Sequence, residues 1–222
     1  PSGAGPIGWW KLDDGSGTSA EDSSGNGYDL ARVNGDGGWI SGKAGGAYNQ
    51  PRFTADAAAS DALNLAGAGT VSLSMWVTVH STANWAGMAG FEGTGTAGDV
   101  YSLKMDNSDH VIWTLSGASS IASPDTLANY AAASGDGWVH LVGVYDAGNT
   151  NMLYVNGAPV VSGAATVPIP DKTTPGLFRI GTYYNSSSYE FNGSIDDVQL
   201  YEQALSAAQV ADLYNDPGKA LA

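Results

Sequence analysis

The chain breaks into short runs of alternating apolar and polar residues separated by glycine-rich segments. In VSLSMWVTV (residues 71–79) the odd positions Val71, Leu73, Met75, Val77 and Val79 are apolar, the period of a strand with one buried face. Trp76 lies on the opposite face with Ser72, Ser74, Thr78 and His80, a face that could be concave and open rather than part of the inter-sheet core. In IDDVQLY (residues 195–201), Asp196, Val198 and Leu200 alternate with Ile195, Asp197, Gln199 and Tyr201, again a half-buried strand. One helix is predicted, at the end of the chain. Ser206 and Gln209 have capping-box spacing, Leu205 and Val210 are placed as a hydrophobic staple, and Pro217-Gly218 supplies the stop. No long amphipathic pattern competes, and 31 glycines among 222 residues suit many tight turns. The expected fold class is all-β, in one domain with ample length to bury a core.

Charge narrows the partners. Twenty-two acidic against eight basic side chains give a net charge of −14 with no basic cluster, which argues against nucleic acid and anionic membrane surfaces. Neutral ligands and cations remain. No run of eighteen apolar residues is present, so no membrane-spanning helix is expected. The opening PSGAGPIG has no charged-then-apolar leader and reads as a linker. The expected boundaries are a tail over 1–6, one domain over 7–216 and a second tail over 217–222. Absence of cysteine leaves the redox compartment open.

Two segments carry a wider pattern: WWKLDDGSGTSAEDSSGNGYDL (residues 9–30) and FNGSIDDVQLYEQALSAAQVADLY (residues 191–214). Between them come GWISGKAGGAY (38–48), VSLSMWVTV (71–79), DGWVHLVGVYD (136–146), LYVNGAPV (153–160) and FRIGTYY (178–184). In order and spacing these resemble the laminin-G-like, concanavalin A-like jelly-roll family. The match is weakest over 49–68 and 116–133, and the family's usual W-H-H becomes Trp138, Val139, His140. The resemblance implies a jelly-roll β-sandwich of two antiparallel sheets with one short C-terminal helix. It also implies an extracellular carbohydrate-binding or adhesive module, often with a structural calcium.

Jelly rolls of this shape include glycosidases and lyases, whose chemistry leaves marks. A glycosidase needs two carboxyl groups at a set separation. The four glutamates, Glu21, Glu92, Glu190 and Glu202, are dispersed, and the adjacent pairs Asp13-Asp14 and Asp196-Asp197 belong to the scaffold-like segments. A lyase needs a Tyr or His base beside a cation that neutralises a carboxylate. Arg32, Arg52 and Arg179 are the only arginines, and no Q-x-H or Y-x-K-x-G-x-Y run accompanies them. Neither a cysteine nor a G-x-S-x-G elbow after a strand is present. No catalytic residue is expected.

For calcium, Asp22, Ser24, Asn26 and the Tyr28 carbonyl stand at positions 1, 3, 5 and 7 of an oxygen-ligand loop, with Gly27 at the turn. Position 12 is Val33, so a further carboxylate must come from elsewhere. The resemblance places the first and last strands side by side, which offers Asp196 or Asp197, with Asp13 as another candidate. The same D-S-S-G-N-G run is also a good plain turn. His80, His110 and His140 stand thirty residues apart without thiolates, which disfavours zinc.

Sugar rings stack on flat aromatic faces. Most of the seven Trp and eleven Tyr are expected in the core, including Trp9, Trp10, Trp39, Trp113 and Trp138. Trp85, Tyr183, Tyr184 and Tyr189 stand in Ser/Asn/Gly-rich loops, where an aromatic either covers a cluster edge or contacts a ligand. The expected ligand-binding residues are these four, Trp76 as a floor, and Asn84 and Glu190, with Asn185, Gln50 and Arg52 as further polar candidates. The expected function is a monomeric, non-catalytic module, tethered to other domains of a secreted polysaccharide-acting enzyme, that binds a neutral poly- or oligosaccharide. A structural or adhesive domain without a sugar site, and a hydrolase or lyase, are the alternatives.

Overall fold

The computed structural model describes residues 5–33, 37–81, 85–93, 99–115, 119–166, 168–169, 176–183 and 187–221. Its strands are β1 (Gly8–Trp10), β2 (Ser19–Ala20), β3 (Leu30–Arg32), β4 (Gly38–Ser41), β5 (Gly46–Asn49), β6 (Phe53–Ala55), β7 (Thr70–Val79) and β8 (Gly87–Gly93). They continue with β9 (Asp99–Met105), β10 (His110–Leu115), β11 (Ser119–Thr126), β12 (Val139–Asp146), β13 (Thr150–Val155), β14 (Ala158–Gly163), β15 (Gly176–Ile180) and β16 (Gly193–Tyr201). One antiparallel sheet has the order β14-β13-β12-β7-β16-β5-β4, with β1 on β16; the other runs β11-β10-β9-β8-β15-β6-β3-β2. This is the expected all-β sandwich.

The alternation in β7 does what its period requires: Val71, Leu73, Met75 and Val77 enter the core between the sheets. Across the sandwich, Trp113 of β10 lies directly on the backbone of Gly143 in β12, where a Cβ would meet its Cε2 at 2.7 Å. Trp10 stacks on Phe178 at 4.7 Å and 22°. Trp9 and Trp138 are only half-buried and do not belong to this core, a correction to their expected place.

Strand β16 departs from strict alternation. The register against β7 shifts between Asp196 and Gln199, where Asp197 adopts a positive φ of 50°. The slip puts Ile195, Val198 and Leu200 on one core-facing side. The other side is not exposed: Asp196 accepts from Ala44 N, and Asp197 and Gln199 bond to Gly218 and Lys219 near the end of the chain.

Among the described residues three α-helices complete the fold, not one. Helix α1 (Ala57–Leu63) is capped by Asp56, and α2 (Leu127–Ser134) is capped by Thr126 and ends at Gly135, whose φ is 84°. Both occupy the stretches where the family pattern was weakest, and both are about two turns long, too short for a periodicity signal. Helix α3 (Ala207–Asn215) has the expected capping box between Ser206 and Gln209. Its Val210 and Leu213 form a second small core with Val142, Val144, Tyr154, Tyr201 and Leu205 on the outer face of the first sheet. The chain after α3 is not a loose tail over its described part: Gly218 donates to Asp197 Oδ2 at 2.9 Å, and Gln199 Nε2 donates to the Lys219 carbonyl at 3.1 Å.

Candidate functional site

With part of the first sheet's outer face covered by α3, the second sheet offers the other outer face. There β8, β9 and β15 bring charged side chains away from the core. Arg179 Nη1 pairs with Glu92 Oε2 at 3.1 Å, and Lys104 Nζ with Asp99 Oδ2 at 2.6 Å. Ser102 Oγ donates to the same Asp99 oxygen at 2.8 Å. All four charged residues are buried, and each has a counter-charge, the condition under which burial is tolerated. Glu92 and Asp99 are register partners across β8 and β9. Sequence reading missed this row because strand register, not sequence proximity, assembles it.

At the rim of this row the loop aromatics converge. The Lys104 ammonium lies 4.5 Å from the Tyr183 ring centroid and 5.7 Å from that of Trp85, within cation–π range. Tyr183 and Tyr189 meet edge to face at 5.9 Å and 74°. The Glu190 backbone bridges to both Gly87 and Thr182, and its carboxylate lies 2.6 Å from Arg52 Nη1. Trp85 is 41% exposed and holds a positive φ of 57°, a left-handed conformation costly for a side chain of this bulk. Thus the structure gathers Trp85, Tyr183, Tyr189 and Glu190. Asn84, Tyr184 and Asn185 lie outside the described residues.

Trp76 belongs elsewhere. It is on the outer face of the first sheet, stacked on Tyr214 of α3 at 5.6 Å and 18°, with the Lys43 ammonium 4.6 Å from its ring centroid. At 2% exposure it cannot serve as an open floor. Sequence alternation placed it off the core correctly, but not the helix that covers it. Beside it, Ser74 Oγ lies 2.9 Å from His140 Nε2. This resembles part of a nucleophile–base arrangement, but both residues are buried. His140 Nδ1 has no partner among the described residues, so no group orients it, and burial lowers its pKa to about 3. It is a neutral core histidine.

The proposed calcium ligands separate into two places. Asp22 uses its carboxylate to close the early loop: Trp9 N at 2.9 Å and Ser24 N at 2.9 Å donate to Oδ1, and Ser24 Oγ at 2.8 Å and Tyr28 N at 3.0 Å to Oδ2. Asn26 Nδ2 donates to the Ile7 carbonyl at 2.9 Å. Four donors occupy the acceptor sites of one carboxylate, so a cation at Asp22, Ser24, Asn26 and Tyr28 would have to displace them. The loop does not fit an ion as it stands. Asp13 and Asp196 instead meet the Gly42–Gly46 turn, accepting from Gly46 N and from Ala44 N. Asp196 Oδ1 is buried without a partner among the described residues. Its pKa is raised to about 8, chiefly by burial, with Asp197 and Asp13 adding repulsion. Two carboxylates, one with an orphaned oxygen, are suited to a hard cation. Among the described residues no three His, Asp or Glu side chains converge on one point. Asp197 faces the other way, accepting from Trp9 Nε1 at 2.7 Å.

Among the described residues no helix is long and apolar enough to cross a membrane. Structural comparison finds the same sandwich in many solved chains, the following among them. Domain 4 of AbnA, a GH43 extracellular arabinanase from Geobacillus stearothermophilus, in complex with arabinotriose, aligns with a TM-score of 0.64 at 20% identity, over 94% of this chain and 98% of that one. Trypanosoma rangeli sialidase in complex with 2,3-difluorosialic acid aligns with a TM-score of 0.65 at 16% identity, over 95% of this chain and 32% of that one. The binding domain of Paraclostridial Mosquitocidal Protein 1 gives 0.68 at 16% identity, over 95% and 52%. By sequence, the chain is 27% identical over 154 residues to the Danio rerio adhesion G-protein coupled receptor V1, spanning 67% of this chain but 2% of that receptor. The Laminin_G_3 family model matches residues 52–211, more than half the chain, and the protein therefore belongs to the concanavalin A-like lectin/glucanases superfamily.

Proposed function

We propose that the chain is a non-catalytic carbohydrate-binding module that takes a neutral poly- or oligosaccharide at the rim of the second sheet. The observation that carries this reading is Trp85: a large apolar ring 41% exposed, in a strained backbone conformation, with the Lys104 ammonium 5.7 Å from its centroid. Strain of this kind persists where surrounding structure enforces it and is concentrated at functional sites. The charged residues of the site pair as Lys104–Asp99, Arg179–Glu92 and Arg52–Glu190, so local charge cancels, which suits a neutral ligand. The arabinotriose complex of the similar arabinanase domain supports a sugar ligand, and that domain's place within an extracellular arabinanase supports a module tethered within a larger secreted enzyme. A structural calcium held by Asp13 and Asp196 belongs to the same reading, supplying positive charge that joins the first segment to the last strand. The similarity to an adhesion receptor favours a second reading, a purely adhesive domain. Pull-down on insoluble arabinan, xylan, mannan, cellulose and chitin separates them. Retention on at least one, released by its soluble oligosaccharide, is expected; no retention on any would leave the adhesive reading.

A further inference from the structure

The geometry points to a site that holds one sugar residue, a chain end or a side branch, rather than the interior of a chain; this rests on the carbohydrate-binding reading above. A polysaccharide laid along an open groove needs several ring faces presented side by side for successive residues. Here Tyr183 and Tyr189 stand 74° apart, so one straight chain cannot stack on both. The Tyr183 ring has the Lys104 ammonium 4.5 Å from its centroid, which occupies one of its faces. Trp85 is the one exposed aromatic side chain among the described residues.

On the same rim, where the Glu190 backbone bridges to Gly87 and Thr182, stands the Arg52–Glu190 pair, 2.6 Å apart, with the Glu190 side chain 38% exposed. A guanidinium donates and a carboxylate accepts. Side by side they match two neighbouring hydroxyls of one ring, each of which both donates and accepts. One stacking face plus one donor–acceptor pair therefore accounts for a single residue with a vicinal diol. A uronate would bring its carboxylate against Glu190 and is disfavoured.

Isothermal titration with three neutral series, arabino-, xylo- and gluco-oligosaccharides, each as methyl glycoside, trimer and hexamer, tests this. In the series that binds, trimer and hexamer affinities should agree within about threefold at one oligosaccharide per protein. Glu190→Gln should weaken binding about tenfold or more without moving the melting temperature. An affinity that climbs about tenfold from trimer to hexamer, or full affinity in Glu190→Gln, would overturn the single-residue site while leaving carbohydrate binding intact. Failure of all three series and of the polysaccharide panel would remove the carbohydrate reading and this inference with it.

Discussion

Replacing Gly143 with alanine perturbs the centre of the sandwich at one atom. The new Cβ would stand 2.7 Å from Trp113 Cε2, with two further indole atoms closer still, whereas ordinary carbon contacts begin near about 3.5 Å. The ring is fully buried, so it must shift by roughly an ångström against a close-packed core. Overpacking of this kind costs about 1–3 kcal/mol, which for a domain of this size lowers the melting temperature by roughly 2–12 °C. Trp113→Leu alone should cost about 3 kcal/mol or more by leaving a cavity. In the double variant the alanine methyl enters that cavity, so the two costs should sum to less than their parts by about 1 kcal/mol or more. Urea unfolding followed by far-UV circular dichroism measures all four corners of the cycle. A Gly143→Ala cost below about 0.5 kcal/mol, or strict additivity, would refute the direct packing of β10 on β12.

Millimolar calcium should raise the melting temperature of the wild-type domain, by about 2.7 kcal/mol of stability at a hundredfold excess over Kd, and Asp196→Asn should abolish the increment; the absence of any shift with calcium or chelator would remove the ion from the account. His140 is neutral when folded because burial lowers its pKa to about 3, against about 6.5 unfolded. Its contribution is therefore full above about pH 6.5 and lost as pH falls toward 3, at up to about 1.4 kcal/mol per pH unit; His140→Gln should flatten that part of the stability–pH curve relative to wild type, and an unchanged slope would contradict the burial. With a net charge of −14, the protein should pass through heparin and DNA columns, and retention beyond about 0.2 M salt would contradict the exclusion of anionic partners.

How much was legible varied with the range of the interaction. The β7 alternation and the Ser206–Gln209 cap are local, and both appear as read. The β16 alternation failed at Asp197 because a register slip leaves no mark in apolar spacing when both faces are buried. Helices α1 and α2 are too short for a periodic signal, though the caps Asp56 and Thr126 were readable in principle. At the site, loop composition picked out Trp85, Tyr183, Tyr189 and Glu190, since an aromatic in a polar loop has no core to join. The row Glu92, Asp99, Lys104 and Arg179 was invisible because it exists only through pairing of β8, β9 and β15. Trp76 was misassigned as an open floor for the same reason: α3 returns from more than a hundred residues away to cover it.

The claim that the rim of the second sheet is the binding surface is tested most directly by comparing two tryptophan substitutions in affinity and stability. Titration of the best-bound neutral oligosaccharide into Trp85→Ala should show a loss of about 1–3 kcal/mol, comparable with other aromatic hot spots. Trp76→Leu should leave affinity unchanged at temperatures where the domain is folded, while lowering its stability, because its buried ring packs on Tyr214 and the Lys43 ammonium. Full affinity in Trp85→Ala, or loss of binding in a folded Trp76→Leu, would contradict the account.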